Sequence, residues 1–167
     1  QLFKTELLNN RNINFGIVIN ANKIKNYDHF VNIFLNSKMQ ESLLDFDNTK
    51  FAWKDIANFE ITNSLMHVKG NEIILDGKLD TVIKNHGDMY KFLVTPKKYR
   101  EKIKKIDLNF TYNFDQKILK FDDIKINNKI NQNVNEILKS LIFEEDRLKN
   151  KIYIKKIINK AIKAYVG

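Results

Sequence analysis

Residues 108–114 read Leu-Asn-Phe-Thr-Tyr-Asn-Phe, and this short stretch decides the class of fold. Large apolar side chains alternate with small polar ones, which is the two-residue period of a β-strand. Residues 115–117 have the composition of a turn, and residues 118–126 return with a second alternating pattern. The sequence therefore predicts an antiparallel hairpin with one apolar face. On its first strand that face carries Leu108, Phe110, Tyr112 and Phe114.

The same alternation recurs upstream of this hairpin. Residues 12–21, 51–53 and 57–61 predict three strands, and residues 65–75 predict a hairpin around Gly70. Together the strands predict a mainly β (α+β) fold built on one curved antiparallel sheet. In chain order, the apolar residues on one face of the first three strands are Ile13, Phe15, Ile17, Ile19, Phe51, Trp53, Phe59 and Ile61.

Helical spacing of apolar residues is found between strands and at the end of the chain. Asp28 as an N-cap predicts a helix over residues 29–37. Thr95-Pro96 predicts a second short helix over residues 97–105, because proline favours the first helical position. After Lys129, apolar residues at helical spacing predict two further helices.

The 167 residues have the length of one domain and contain no Pro/Gly/Ser-rich linker. We expect a single domain over 1–167, with a β-rich body over 1–128 and a helical tail over 129–167. Five Gly and one Pro are few for a β fold, so Asn and Asp are expected to build the turns. Because the chain begins with Gln1, we expect a fragment of a longer chain.

The charge balance is basic, with 29 Lys and Arg against 20 Asp and Glu and a formal net charge of +9. Such an excess favours an anionic partner. Codon usage is the alternative, since 26 Lys, 23 Asn and 23 Ile are what an AT-rich genome would encode. Arg, which recognises phosphate in a bidentate manner, is scarce, so no nucleic-acid partner is expected. The candidates for contact with an anionic surface are Lys97, Lys98, Lys102, Lys104 and Lys105.

Side chains with catalytic or metal-binding chemistry are sparse. The sequence has no Cys, and His29, His67 and His86 are too far apart to have metal-ligand spacing. It contains no Gly-x-Ser-x-Gly, no phosphate-binding glycine loop and no His-Glu-x-x-His. We therefore expect no enzyme activity, no catalytic residue, no metal and no cofactor.

The apolar strand faces are the strongest functional signal, and they have two interpretations. In the first, these faces are internal core that packs against helices or a second sheet, because large exposed apolar patches are rare. In the second, the sheet is curved and its inner face is a dry channel for acyl chains. The twelve apolar strand residues named above are the candidates for such a lipid groove.

A longer pattern resembles a known family. Residues 108–129 read LNFTYNFDQKILKFDDIKINNK, and a segment rich in Asn and a closing Tyr-Val-Gly follow. Upstream, residues 51–79 read FAWKDIANFEITNSLMHVKGNEIILDGKL. In pattern and order, from Ile13 to Gly167, the chain resembles the C-terminal region of AsmA-like proteins from AT-rich alphaproteobacteria.

The resemblance implies a curled sheet, called a β-taco, with a hydrophobic groove and no catalytic residues. It also implies a periplasmic protein that is anchored to the inner membrane by a segment absent from this chain. Relatives of the TamB and YhdP type are thought to carry phospholipids toward the outer membrane. We therefore expect a non-catalytic module for lipid handling and outer-membrane biogenesis, with phospholipid, a membrane surface or other envelope proteins as partners.

Two alternatives stay open at this point. One is a structural or protein-interaction β domain whose apolar faces are all internal and which binds no ligand. The other is a basic nucleic-acid-binding domain, which the scarcity of Arg disfavours.

Overall fold

The chain is mainly β in a computed structural model, which describes residues 10–25, 29–141 and 143–167. The described part contains ten strands and four α-helices, with one 3₁₀ helix at Lys97–Tyr99. The strands are β1 Phe15–Lys23, β2 Phe30–Gln40, β3 Leu43–Asp45, β4 Thr49–Trp53, β5 Ala57–Lys69, β6 Glu72–Ile83, β7 Lys105–Asn113, β8 Ile118–Ile126, β9 Lys129–Ile130 and β10 Phe143–Glu144. The helices are α1 His86–Leu93, α2 Gln132–Lys139, α3 Glu145–Leu148 and α4 Lys151–Val166.

The strands form one curved antiparallel sheet in the order β1-β2-β3-β5-β6-β7-β8-β10. Strands β3 and β4 each pair with β2 on one side and with β5 on the other, and β9 pairs with β8. The central hairpins β5–β6 and β7–β8 follow the alternation of the sequence, so the predicted fold class is confirmed. The tail that begins at residue 129 is not wholly helical, because β10 returns to the sheet and pairs with β8.

Three β-bulges interrupt the ladders, and an Asn or Asp with positive φ lies at each one. The register shifts occur around Asn32 in β2, Asn63 in β5 and Asp123 in β8, with φ of 52°, 49° and 49°. Asn and Asp tolerate this left-handed region better than other residues with a side chain. Bulges bend a strand and increase its twist, so these residues contribute to the curvature of the sheet. Asn48, Asn127 and Asn128 also have positive φ, in turns between strands, which confirms the expected use of Asn in turns.

The helix predicted over residues 29–37 is wrong, because Phe30–Gln40 is the long strand β2. The proposed N-cap Asp28 lies outside the described residues. Apolar residues in this segment fit both a helical and a strand period. Pairing with β1 on one side and with β3 and β4 on the other decides for the strand, and the sequence of the segment alone does not contain that information.

The helix predicted over residues 97–105 is also wrong. Pro96 precedes only the three-residue 3₁₀ helix, and β7 already begins at Lys105. Several like charges within one turn disfavour a longer helix here. The α-helix lies earlier, at α1, where the Asn85 side chain caps the backbone N–H of Asp88. The two helices predicted after Lys129 are confirmed as α2 and α4.

Cross-strand partners share a face of the sheet, so the register defines an inner face. It carries Ala57 opposite Ile83 and Thr81 opposite Ile106, and the helices pack against it. The main apolar cluster lies between these strands and α1, α2 and α4. A second, smaller cluster around Met39, Leu44 and Met66 lies where β2, β3 and β5 meet.

Candidate functional site

A cavity of about 380 Å³ lies between the inner face of the sheet and the helices, and it is partly open to the surface. Its sheet wall comes from β4 to β8 and includes Trp53, Phe59 and Leu108. Among the described residues that line the cavity, Thr81 is the one polar residue, and the others are aliphatic or aromatic. The described wall of the cavity therefore offers apolar surface with a single hydroxyl and no ionic group.

The opposite wall of the cavity is helical. Met89 and Leu93 come from α1, Val134 and Leu138 from α2, and α4 contributes five side chains. Those of α4 follow helical spacing: Ile154, Ile157, Ile158, Ala161 and Ile162. Helix α4 thus presents one apolar stripe to the cavity, while its lysines lie on its other sides.

A buried polar contact fastens α4 to the end of α1. The Thr95 hydroxyl lies 2.6 Å from Asn159 Oδ1, and Asn159 Nδ2 donates to the carbonyl of Leu93 at 2.6 Å. Thr95 is only 1% exposed. Buried hydrogen bonds of this kind fix geometry, so α4 is held over the cavity in one orientation.

A second polar contact fastens α2 to the sheet. The Asn135 side chain accepts from the backbone N–H of Ile124 at 2.9 Å and donates to the carbonyl of Ile124 at 2.8 Å. It replaces a neighbouring strand at the position that follows the bulge at Asp123. The amide thereby satisfies backbone groups that the bulge would otherwise leave unpaired.

Three of the twelve predicted groove residues line the cavity: Trp53, Phe59 and Leu108. The Phe51 ring stacks on Phe59 at 4.8 Å, beside the cavity wall. Ile61 lies on the same face of β5, two residues farther along the strand. These five residues are brought together at one side of the inner face.

The rest of the aromatic strand continues along the inner face beyond the cavity. Phe110 pairs with Gly77, and a Cβ at Gly77 would lie 2.8 Å from the end of the Phe110 ring. Tyr112 packs edge to face on Phe114, with ring centroids 4.7 Å apart. Phe114 itself follows the end of β7 and is exposed.

The four predicted groove residues of the first strand lie apart from the cavity. Ile13 and Phe15 pack against the second apolar cluster. Ile17 and Ile19 are 46% and 50% exposed on β1, which is the edge strand of the sheet. The twelve residues therefore do not form one continuous groove.

The predicted basic residues fall into two groups. Lys97, Lys98, Lys102 and Lys104 are exposed on the segment that leads into β7. Lys105 lies on the outer face of the sheet, where its ammonium is 2.8 Å from Asp107 and 3.6 Å from Asp80. The close ion pair with Asp107 raises the pKa of Lys105 above its ordinary value, although partial burial opposes the shift.

Asp80 is the centre of this outer-face network. Burial acts to raise the pKa of Asp80, but the hydrogen bonds that its carboxylate accepts from Lys78 and Thr62, together with the positive charge of Lys78, outweigh it. The pKa of Asp80 is therefore held well below its usual range. The network lies on the face opposite to the cavity, where charged side chains of adjacent strands pair with one another.

The sequence predicted α2 and α4, but it missed α1 and did not show that the three helices form a wall of the cavity. The signal for α4 was present as the apolar spacing of Ile154, Ile157 and Ile158. The signal for α1 was the Asn85 cap followed by Met89 and Leu93 on one side. Neither pattern states which part of the sheet its helix covers.

Within the described ranges, no cluster of His, Asp and Glu has the arrangement of a metal site. Among the helices of those ranges, none combines the length and the apolarity needed to cross a bilayer. No family model, curated protein or solved structure matches this chain.

Proposed function

We propose that this chain is a non-catalytic lipid-handling module that holds an acyl chain in the cavity beneath α4. The observation that carries the proposal is a cavity of about 380 Å³ whose wall, as far as the chain is described, contains one polar residue, Thr81. A saturated hydrocarbon has no donor or acceptor, so it matches this wall chemically. A polar headgroup would remain at the open side, outside the cavity.

The volume argues against a cavity that exists only as a packing defect. Protein interiors contain few voids larger than a water molecule. Because the cavity of about 380 Å³ is partly open, leaving it empty would keep its apolar wall in contact with water, which is unfavourable. A stable internal water needs two to four polar partners. The described wall offers one, Thr81, so water is poorly held there.

An acyl chain removes that cost and adds a favourable term of its own. Each buried methylene contributes about 0.8 kcal/mol, so a segment of eight methylenes contributes about 6 kcal/mol. Selectivity among lipids would come from the length and width of the cavity, since the wall provides no group that would recognise a headgroup.

The biological setting is part of the same proposal. The resemblance to AsmA-like proteins supports a periplasmic module for outer-membrane biogenesis, with phospholipid as the cargo. The alternative is a structural or protein-interaction domain in which the cavity holds nothing.

A fluorescent fatty acid tests the proposal. We expect cis-parinaric acid to gain fluorescence with the purified chain, in competition with unlabelled fatty acids. Ala161→Trp, which fills the cavity from α4, should abolish binding and leave the melting temperature equal or higher. Ala21→Trp, on the edge strand β1, is the matched control and should bind as the wild type does.

Ile154→Trp is a second variant for the case that Ala161→Trp does not fold. Absence of a fluorescence gain with the wild type, or equal binding by folded cavity variants, would contradict the proposal and favour the ligand-free structural domain.

A further inference from the structure

Two basic segments that are far apart in the sequence meet around Tyr99. The ammonium of Lys98 lies 4.9 Å from the centre of the Tyr99 ring, and the ammonium of Lys163 lies 5.5 Å from it. Farther along α4, the Lys155 ammonium lies 4.1 Å over the ring of Phe92. Lys155 and Lys163 are two turns apart on α4, a span of about 12 Å.

These two segments hold the entire charge excess of the chain. Residues 89–100 and 151–166 contain nine of the 29 basic residues and none of the 20 acidic ones. The rest of the chain contains 20 basic and 20 acidic residues. Codon usage accounts for Lys along the whole chain, and 18 of the 26 Lys lie outside these segments, but it does not account for the absence of Asp and Glu from both. We call the surface of these two segments the basic face.

An apolar side chain projects from the basic face. Val94 ends α1 in the left-handed conformation, with φ of 58°, and it is 73% exposed. That conformation is strained for a β-branched residue, and glycine is the usual residue there.

The backbone around Val94 is held from both sides. The carbonyl of Leu93 accepts from Asn159, and the carbonyl of Thr95 accepts from Arg100 Nε at 2.8 Å. Val94 is therefore presented to solvent by a fixed loop.

We propose that the basic face docks on an anionic phospholipid bilayer, with Val94 entering the interface between headgroups and acyl chains. Lys and Arg near an anionic leaflet are each attracted to its surface potential, and a short apolar side chain among them adds buried area. Ile152, 79% exposed on α4, provides a second apolar contact. This inference does not require that the cavity hold a lipid.

The chemistry of the face favours a bilayer over a nucleic acid. Of its nine basic residues, only Arg100 has the guanidinium that recognises phosphate in a bidentate manner. An exposed Val94 has no role against a phosphate backbone, whereas apolar side chains between lysines are typical of interfacial membrane contacts.

Vesicle co-sedimentation tests the proposal with the intact chain. The probes are mixed phosphatidylglycerol–phosphatidylcholine vesicles and pure phosphatidylcholine vesicles, each at low and high salt. The variant Lys98→Gln/Lys155→Gln/Lys163→Gln should bind the anionic vesicles about a hundredfold more weakly at low salt, with little change on neutral vesicles.

The matched control is Lys38→Gln/Lys69→Gln/Lys120→Gln. It removes the same charge from exposed residues of β2, β5 and β8, away from the basic face, and should lose much less binding. Equal losses in the two variants would mean that net charge alone attracts the chain, which would overturn the docking face.

Val94→Gly separates a docking role from a structural one. Glycine relieves the left-handed strain, so the melting temperature should rise. Loss of the apolar side chain should nevertheless weaken vesicle binding about fivefold. Unchanged vesicle binding by this variant would refute the insertion of Val94. Absent vesicle binding together with salt-dependent binding of duplex DNA or RNA through the same lysines would replace the bilayer by a nucleic acid.

Discussion

Thr95 and Asn159 are 64 residues apart in the chain, and their side-chain oxygens lie 2.6 Å apart in a hydrogen bond. Because Asn159 also donates to the carbonyl of Leu93 and to that of Lys155, its amide is fully engaged. This one side chain connects the end of α1 to the middle of α4. The wall of the cavity and the basic face both depend on that connection.

Thr95→Val should lower the free energy of unfolding by about 1–3 kcal/mol, because it leaves the half-buried Asn159 oxygen without its partner. The loss should be smaller when Asn159→Leu is already present, since the interaction is then gone. Urea denaturation of the two single variants and the double variant measures the coupling. Ser140→Ala, which removes an exposed hydroxyl, is the control with little effect. If the losses of stability in the two single variants simply add in the double variant, the hydrogen bond between Thr95 and Asn159 does not contribute to stability.

Gly77→Ala should destabilise the chain by about 1–3 kcal/mol. The new Cβ would lie 2.8 Å from the Phe110 ring and 3.3 Å from the Cβ of Ser64. Phe110→Leu in the same chain should recover part of the loss, because it shortens the side chain that the methyl meets. Gly16→Ala is the matched control, since its nearest atom would be 3.9 Å away. Chemical denaturation of these three variants beside the wild type should show this pattern, and equal effects at the two glycines would contradict it.

The hairpins β5–β6 and β7–β8 could be predicted because their information is local. Alternation, a short turn and the return strand lie within about thirty residues in each case. Strand β2 could not be predicted in the same way. Its apolar residues fit two periods, and pairing with three other strands decides between them.

The cavity illustrates a second limit. Alternation predicted that Trp53, Phe59 and Leu108 each lie on an apolar strand face, but it did not show which faces adjoin across the sheet. The bulges at Asn32 and Asn63 change the register, and no local sequence pattern predicts which Asn will form a bulge. The helical wall depends on α4 packing against strands β4 to β8, all of which lie well before this helix in the chain.

Asp80→Asn should lower the stability by about 2 kcal/mol at pH 7, because it removes the charged partner of Lys78 and Lys105. The pKa of Asp80 is depressed in the folded chain, so its stabilisation is present above the unfolded pKa of about 4 and is lost as the pH falls through the folded pKa. The difference in the free energy of unfolding between the wild type and Asp80→Asn should therefore shrink below about pH 4.

Urea denaturation between pH 7 and pH 2 measures that difference. Asp55→Asn, at an exposed carboxylate, is the control and should give a small difference at every pH. A difference for Asp80→Asn that stays constant with pH would mean that the depressed pKa does not contribute to stability.

A series of saturated fatty acids measures the depth of the cavity. If the acyl chain enters a cavity with an apolar wall, the affinity of the protein for the fatty acid should rise about fourfold for each added methylene. This factor corresponds to about 0.8 kcal/mol. The rise should stop at the length that fills the cavity of about 380 Å³, because further methylenes remain in water. Displacement of cis-parinaric acid gives the affinities, and the break in the plot gives the length.

Ile154→Phe, which narrows the cavity without closing it, should move that break to a shorter chain and leave the slope below it unchanged. The variant Lys98→Gln/Lys155→Gln/Lys163→Gln should change neither the slope nor the break, because those ammonium groups lie outside the cavity wall. If affinity instead rises with the same slope over all acyl-chain lengths in every variant, the fatty acids bind an open apolar surface, such as that of Ile17 and Ile19. That result would contradict the proposed role of the cavity.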